Sequence, residues 1–195
     1  MGNDIFKIEH NEALPGKGCI LIAEPFLQGA YFQRAVVLLV EHGEEGALGL
    51  ILNKQTKFVL NDYFPGLAAA PQIPIYLGGP VGPNRLFFIH TLGKLIPGSQ
   101  EVADGLYFDG DLNILLEYIT QDNDLIRMVK FFSGYSGWSK GQLAGEIKED
   151  SWLTGKPQNT RIMQANGESF WRNSLAALGK KYKAWINFPK NPYLN

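Results

Sequence analysis

Ser136 lies in the run Gly134-Tyr-Ser-Gly-Trp138, which invites comparison with the strained elbow that presents a nucleophilic serine. Such an elbow needs glycine two residues to either side of the serine, because the sharp turn has no room for side chains. Gly134 meets that requirement and Trp138 does not. The acid and histidine of the matching triad follow the serine in the chain, yet His10, His42 and His90 all precede Ser136. What remains is a strand-to-helix turn whose glycines admit close packing around Trp138. No catalytic residue is assigned.

The other chemically suggestive runs weaken in the same way. Gly78-Gly-Pro-Val-Gly-Pro83 is rich in glycine but lacks the Lys-Ser/Thr ending of a phosphate loop. Its prolines also remove two amide donors that an anion cradle would use, so it reads as a rigid strand connection. Glu41-His42 with Glu44 and Glu45 has carboxylates and an imidazole, but at no zinc spacing, and glutamates at a hairpin tip are ordinarily solvated. His10 with Glu9 and Glu12 falls in an N-terminal stretch, residues 1–15, expected to be loosely ordered. His90 sits in an apolar strand, where a hydrogen-bonded core histidine is the usual outcome. Asp109-x-Asp111-x-Asn113 opens like a calcium loop, but Ile114 and Thr120 occupy positions that need glycine and glutamate. Asp111 is better explained as a helix N-cap. No metal and no cofactor are expected.

One stretch combines base-stacking and phosphate-binding residue types. Arg172, Lys180, Lys181, Lys183 and Lys190 alternate with Tyr182, Trp185, Phe188 and Tyr193, and no acid follows Glu168. Together they could engage nucleic acid. The competing reading docks the aromatics on the core and leaves the lysines in water. The second reading is favoured.

These residues must be positioned by a sheet. Residues 18–23 read as a strand, and Ala35–Glu41 and Ala47–Asn53 as a hairpin about a polar, glycine-bounded loop. Neither hairpin run alternates cleanly, so both of its faces should be covered. Further strands are expected at 75–77, 86–91, 106–108 and 126–132, with residues 133–138 as the turn that follows. A short helix is expected near 60–64. Leu112, Leu115, Leu116 and Ile119 make one stripe on a helix that starts after Asp111. Helices are also expected at 140–149 and 169–178, the latter with Gly179 at its C-terminal side. Strands and helices do not alternate as βαβ units, which favours a mixed-sheet α+β fold.

Composition bounds the function. At 195 residues with 45% hydrophobic and 19% charged residues, one globular domain is expected. A net charge of −1 gives no field to draw the chain onto nucleic acid or an anionic membrane. No apolar run approaches the ~20 residues of a membrane span, and no secretory signal is visible. Cys19, the one cysteine, lies in an apolar run and reads as a buried structural thiol suited to a reducing compartment. A cytoplasmic location is the expectation.

Taken in order, several segments resemble the YqgE/AlgH family of bacterial proteins. They include Phe32-Gln-Arg-Ala-Val-Val-Leu-Leu39, Glu41-His42, Gly46-Ala-Leu-Gly-Leu-Ile-Leu-Asn53, Gly78-Gly-Pro-Val81, Leu86-Phe-Phe-Ile-His90, Gly134-Tyr-Ser-Gly-Trp138, Gly141-Gln-Leu143 and Ser151-Trp152. The ending from Phe188 is similar to the Bacteroidetes branch. Ala144 departs from the glutamate that usually follows Gly-Gln-Leu. The resemblance implies an α+β domain on a mixed, mainly antiparallel, barrel-like sheet with flanking helices. Members are often described as transcriptional regulators, but this chain has no helix-turn-helix pattern and no basic recognition helix. The expected role is therefore a cytosolic binding or regulatory protein that acts through a protein partner, with room for weak self-association. Two alternatives are a small-ligand binder or enzyme using the glycine turns near Ser136 and His90, and a nucleic-acid binder using residues 172–190. The binding candidates are Glu41, His42, Asn53, Gly78, Gly79, Tyr135, Ser136, Trp138 and Gln142, expected to converge in space.

Overall fold

The apolar runs on either side of His42–Gly46 form the expected hairpin, and most of the molecule is built outward from it. The computed structural model describes residues 9–156 and 159–190, with the backbone alone at 159 and 160. The remaining residues, Tyr193 and the first half of the expected loose N-terminal stretch among them, lie outside this description.

The strands are β1 (Ile20–Ala23), β2 (Val36–Gly43), β3 (Gly46–Ile51), β4 (Gln55–Val59), β5 (Pro74–Leu77), β6 (Val81–His90), β7 (Gln100–Ala103), β8 (Leu106–Phe108), β9 (Val129–Ser139) and β10 (Trp152–Gly155). The helices are α1 (Leu112–Gln121), α2 (Gln142–Lys148), α3 (Asn159–Met163), α4 (Gly167–Ala177) and α5 (Lys180–Lys183). The hydrogen-bonded order is β10-β1-β2-β3-β9-β6-β8-β7, with β4 on β5 and β5 on β9. Every pairing is antiparallel except β5 with β9, which runs parallel from Ile75↔Phe131 to Leu77↔Ser133. The path ends at β10 and β7 without joining them, so the sheet is not a closed barrel.

Side-chain alternation splits the interior into two sides. One carries Ile20, Ile22, Val36, Leu38, Val40, Leu50, Leu52, Phe87, Ile89 and Phe132, and is closed by Trp171, Leu175, Tyr182 and Trp185 from α4, α5 and the turn after it. The other side holds two separate clusters. Leu115 and Ile119 of α1 pack with Ile75, Phe88 and Phe131. Leu143 of α2 packs with Val37, Leu39, Ile51, Trp138 and Trp152. Coverage on both sides explains why the hairpin strands read as continuous apolar runs.

Four expectations require correction. Residues 133–138 are not a turn, because β9 runs unbroken from Val129 to Ser139, and the expected strand start at Ile126 is a 3-10 segment, Asn123–Met128. The second half of β9 is held by pairing with β3, from Gly46↔Ser139 to Gly49↔Ser136, and this partnership outweighs the local turn signal of its glycines. The helix expected near 60–64 shortens to one 3-10 turn, Leu60–Asp62. Gly179 adopts a φ of 125° and ψ of 179°, outside the left-handed cap region, and carries the chain from α4 into α5.

Residues 9–11, expected to be loosely held, are tied to the β10 edge. Asn11 donates to the Thr154 carbonyl at 2.7 Å and accepts from the Thr154 amide at 2.8 Å, as a neighbouring strand would. The His10 amide donates to Asp150 at 2.7 Å, and Glu9 pairs with Lys181 at 2.9 Å. An edge strand that offers open amides and carbonyls is a template for aggregation, and Asn11 occupies it.

Candidate functional site

Ser136 is fully buried and its hydroxyl donates to the Gly78 carbonyl at 3.1 Å. His90 is just as buried and lies far off, opposite Val129 in the register. Seven residues of strand separate Val129 from Ser136, roughly 20 Å. The His90 ring is consumed locally: Nδ1 accepts from the Leu92 amide and Nε2 faces the Asp109 carbonyl, both at 3.3 Å. That pattern assigns the proton to Nε2. Burial pushes the imidazole below its usual range, offset in part by the Asp109 carbonyl. Ser136 and His90 are internal fastenings of the sheet.

Gly78 and Gly79 sit where the chain crosses over β9. β5 runs along one edge of β9, whereas Val81 of β6 pairs with Tyr135 on the other. The link passes against the backbone of residues 134–136. A Cβ on Gly78 would stand 2.0 Å from the Gly134 carbonyl oxygen, and one on Gly79 would stand 2.2 Å from the Tyr135 carbonyl carbon. Gly134, with φ of 68°, would in turn meet the Gly79 and Val81 oxygens at 2.8 Å. These glycines are required by two backbones in contact.

Asn53 lies seven residues from Gly46 along the β3 run, roughly 20 Å from the hairpin tip. It is buried, accepts from the Val36 amide at 2.9 Å, and donates to the Arg34 and Gly167 carbonyls at 3.0 Å. It therefore stands apart from Gln142, which belongs to the opposite end of β3 beside Ser139. Nearby, Glu168 gathers three cations: Arg34, Arg172 at 2.8 Å and Lys190 at 2.8 Å. Burial would raise the Glu168 carboxyl, but hydrogen bonds from Lys190, Arg172 and Arg34 outweigh it and hold it at about 2. Of the C-terminal basic residues, Arg172 and Lys190 are engaged here. Tyr182 and Trp185 are buried, and Phe188 stacks on Phe26 with ring centroids 5.4 Å apart.

Trp138 and Gln142 meet at a residue the sequence reading passed over. Glu146 Oε2 accepts both the Trp138 and Trp152 indole N–H groups at 2.8 Å, and Oε1 accepts from Gln142 at 3.0 Å. Gln142 Oε1 takes the Ser139 amide and hydroxyl at 3.1 Å. The cluster clamps α2 onto β9 and β10. Glu146 precedes Trp152 by six residues in a short polar helix, and the pairing of β1 with β10 brings the two indoles together over it.

Glu41, His42, Tyr135 and Trp138 share an open recess of about 680 Å³ at the hairpin end, which Glu45, Leu48 and Val81 also line. A second recess of about 470 Å³ is lined by Arg85, Phe87, Phe108, Asp109 and Asp111, and it shares Glu41 and Leu48 with the first. The register explains Glu41. A bulge between Leu39 and Glu41 sets Glu41 opposite Leu48, whose side chain packs with the cluster beneath α4. Val40 and Glu41 thus point to one side, and a polar residue is delivered onto an apolar face. That face is uncovered here because α3–α5 close only its far part. Tyr135 packs edge-on against Phe87 at 5.6 Å, and Arg85 lies over the same ring at 5.1 Å. Burial raises the Asp109 carboxyl above its usual range, against a backbone bond from Gly110 and the Arg85 charge. No cluster of three or more His, Cys, Asp or Glu side chains able to hold a metal occurs among the described residues. No helix among them is long and apolar enough to cross a membrane.

Comparison with known proteins adds a lineage to this geometry. A family model described as AlgH-like matches residues 20–183. A UPF0301 protein of Parabacteroides distasonis is 55% identical over 193 residues, covering 98% of each chain. One from Bacteroides thetaiotaomicron is 45% identical over 193 residues, covering 99% of this chain and 98% of its own. Among solved structures, the AlgH protein from Pseudomonas aeruginosa superposes with a TM-score of 0.70 at 26% identity, over 92% of this chain and 98% of that one. A Corynebacterium diphtheriae protein superposes with a TM-score of 0.75 at 24% identity, over 93% and 95%, a likeness of fold.

Proposed function

Because this chain belongs to the AlgH-like family of UPF0301 proteins, we propose that it is a cytosolic binding protein whose trough at the open hairpin end receives a basic segment of a protein partner. The observation that carries this reading is the joining of the two recesses at Glu41 and Leu48. Together they offer an apolar floor of Leu48, Val81, Tyr135 and Phe87. Glu41, Glu45, Asp109 and Asp111 surround it, against the Arg85 guanidinium and the Lys140 ammonium that pairs with Glu45 at 3.6 Å. Carboxylates around an apolar strip favour a segment that carries Lys or Arg beside hydrophobic residues. Of the nine sequence candidates, Glu41, His42, Tyr135 and Trp138 belong to this surface. Gly78, Gly79, Ser136 and Gln142 support the scaffold around it, and Asn53 fastens the other end of β3. Any effect on transcription would then pass through the partner, without direct nucleic-acid contact.

A photo-crosslinking residue in place of Val81, which is 41% exposed, tests this in cells. We expect a discrete protein adduct from that position and none from Leu95, which is 58% exposed and lies outside the trough. Adding Glu41→Lys should abolish the adduct. Equal adducts from both positions, or one indifferent to Glu41, would contradict the proposal.

A further inference from the structure

A separate cleft lies over the β10–β1 side of the sheet, between Gly155 and α4. Its volume is about 920 Å³. Phe170 and Leu178 supply its apolar lining, with Ile20 and Ile22 buried behind them, and Lys156, Arg161 and Lys183 line its rim. No carboxylate lines it among the described residues.

These three cations differ from much of the basic surface. Arg34, Arg172 and Lys190 converge on Glu168, Lys181 pairs with Glu9, Lys140 with Glu45 and Arg127 with Asp124. Among the described residues, none of Lys156, Arg161 and Lys183 has a carboxylate partner. They come from three different elements: the end of β10, α3 and α5. Like charges gathered at a concave surface without counter-charge raise the local potential, and an anion relieves it. The amides of Gln164 and Asn173 also line the cleft, and among the described residues neither makes a hydrogen bond. They can donate to oxygens that three cations have drawn in.

We infer that this cleft binds a small organic phosphate with an apolar or aromatic body, of about nucleotide size. Arg161 and Lys183 would meet the phosphate oxygens, and Phe170 with Leu178 would meet the body. The volume falls within the range of about 300–1,000 Å³ usual for small-molecule sites. A guanidinium opposite a phosphate gives bidentate, charge-assisted hydrogen bonds, stronger than neutral ones. The site is independent of the acidic trough, which uses none of these residues.

Titration of the full chain with ADP and with pyrophosphate, followed by amide chemical shifts, tests the assignment. ADP should perturb residues 155–156, 161–166, 170–178 and 183, and should bind about tenfold more tightly than pyrophosphate, since only ADP reaches the apolar lining. Arg161→Gln and Lys183→Gln should each weaken ADP about tenfold, as loss of one charge-assisted contact predicts. Lys94→Gln, far from the cleft, should leave binding unchanged. All three are exposed, and unaltered melting curves would exclude loss of fold. Absence of ADP shifts, or equal losses at Lys94, would overturn the site. So would a single-stranded oligonucleotide that binds through Lys180 and Lys181 and outcompetes ADP, because the surface would then be a polyanion track.

Discussion

Lys130 projects from β9 into the core beneath α3, with its Nζ 2.5 Å from the Ala165 carbonyl oxygen and 3.4 Å from the centre of the Tyr76 ring. Only 4% of it is exposed. Burial brings its ammonium from 10.5 down to about 7. A lowered lysine value means that the unfolded chain binds more protons than the folded one between about 7 and 10.5. Stability should therefore climb across that window and lie flat below it. Lys130→Met keeps the stem and removes the charge. We expect it to exceed the wild type by roughly 1–4 kcal/mol in urea unfolding near pH 6, since apolar residues often outperform buried ions. The lead should shrink as pH approaches about 10. A lead independent of pH would show that this ammonium does not titrate. At this scale sequence was a poor guide. Lys130, Glu146 and Arg34 owe their roles to partners 35, 6 to 8 and 134 or more residues away, and only the Glu146 contacts are local enough to have been guessed.

Among elements, the crossing of Gly78–Gly79 over β9 is the least tolerant joint. A methyl at Gly79 would fall 2.2 Å from the Tyr135 carbonyl carbon, and neither backbone can retreat without breaking its ladder. Gly79→Ala should cost about 3 kcal/mol or more in urea unfolding. Gly66→Ala, where a methyl would meet nothing within 4 Å, should stay within about 0.5 kcal/mol. Equal effects would mean that the crossing is loose. The hairpin β2–β3, the Asp111 cap and α1 were legible because each follows from local pattern. Asp111 does accept from the Asn113 and Ile114 amides, at 2.9 and 3.2 Å. β4, β7 and β10 were not read. β4 and β7 are short and largely polar, and β10 is only four residues long and is defined by its distant partner β1. The same cause hid the second half of β9, whose glycines signal a turn locally but serve a close approach in the sheet.

In the whole molecule, the two concave regions carry opposite charge. The trough at the hairpin end is lined by carboxylates, the cleft beside α4 by cations, and the net charge of −1 conceals both. Composition therefore excluded a global field while leaving local ones unseen. The candidate set was partly legible for the same reason. Glu41, His42, Tyr135 and Trp138 were selected as polar or aromatic residues near strand ends, and they do share one recess. Its apolar floor could not be foreseen, because Leu48 and Phe87 read as ordinary core residues until the helices are seen to stop short of them.

The most direct test of the trough is a titration of the ¹⁵N-labelled chain with a short synthetic peptide alternating lysine and valine. A glutamate–valine peptide serves as control. Shifts should be confined to residues 41–48, 81–87, 108–111 and 135–139, and binding should weaken with added salt and fall about tenfold in Glu41→Lys. Shifts that avoid those residues, or equal binding of the acidic peptide, would contradict it.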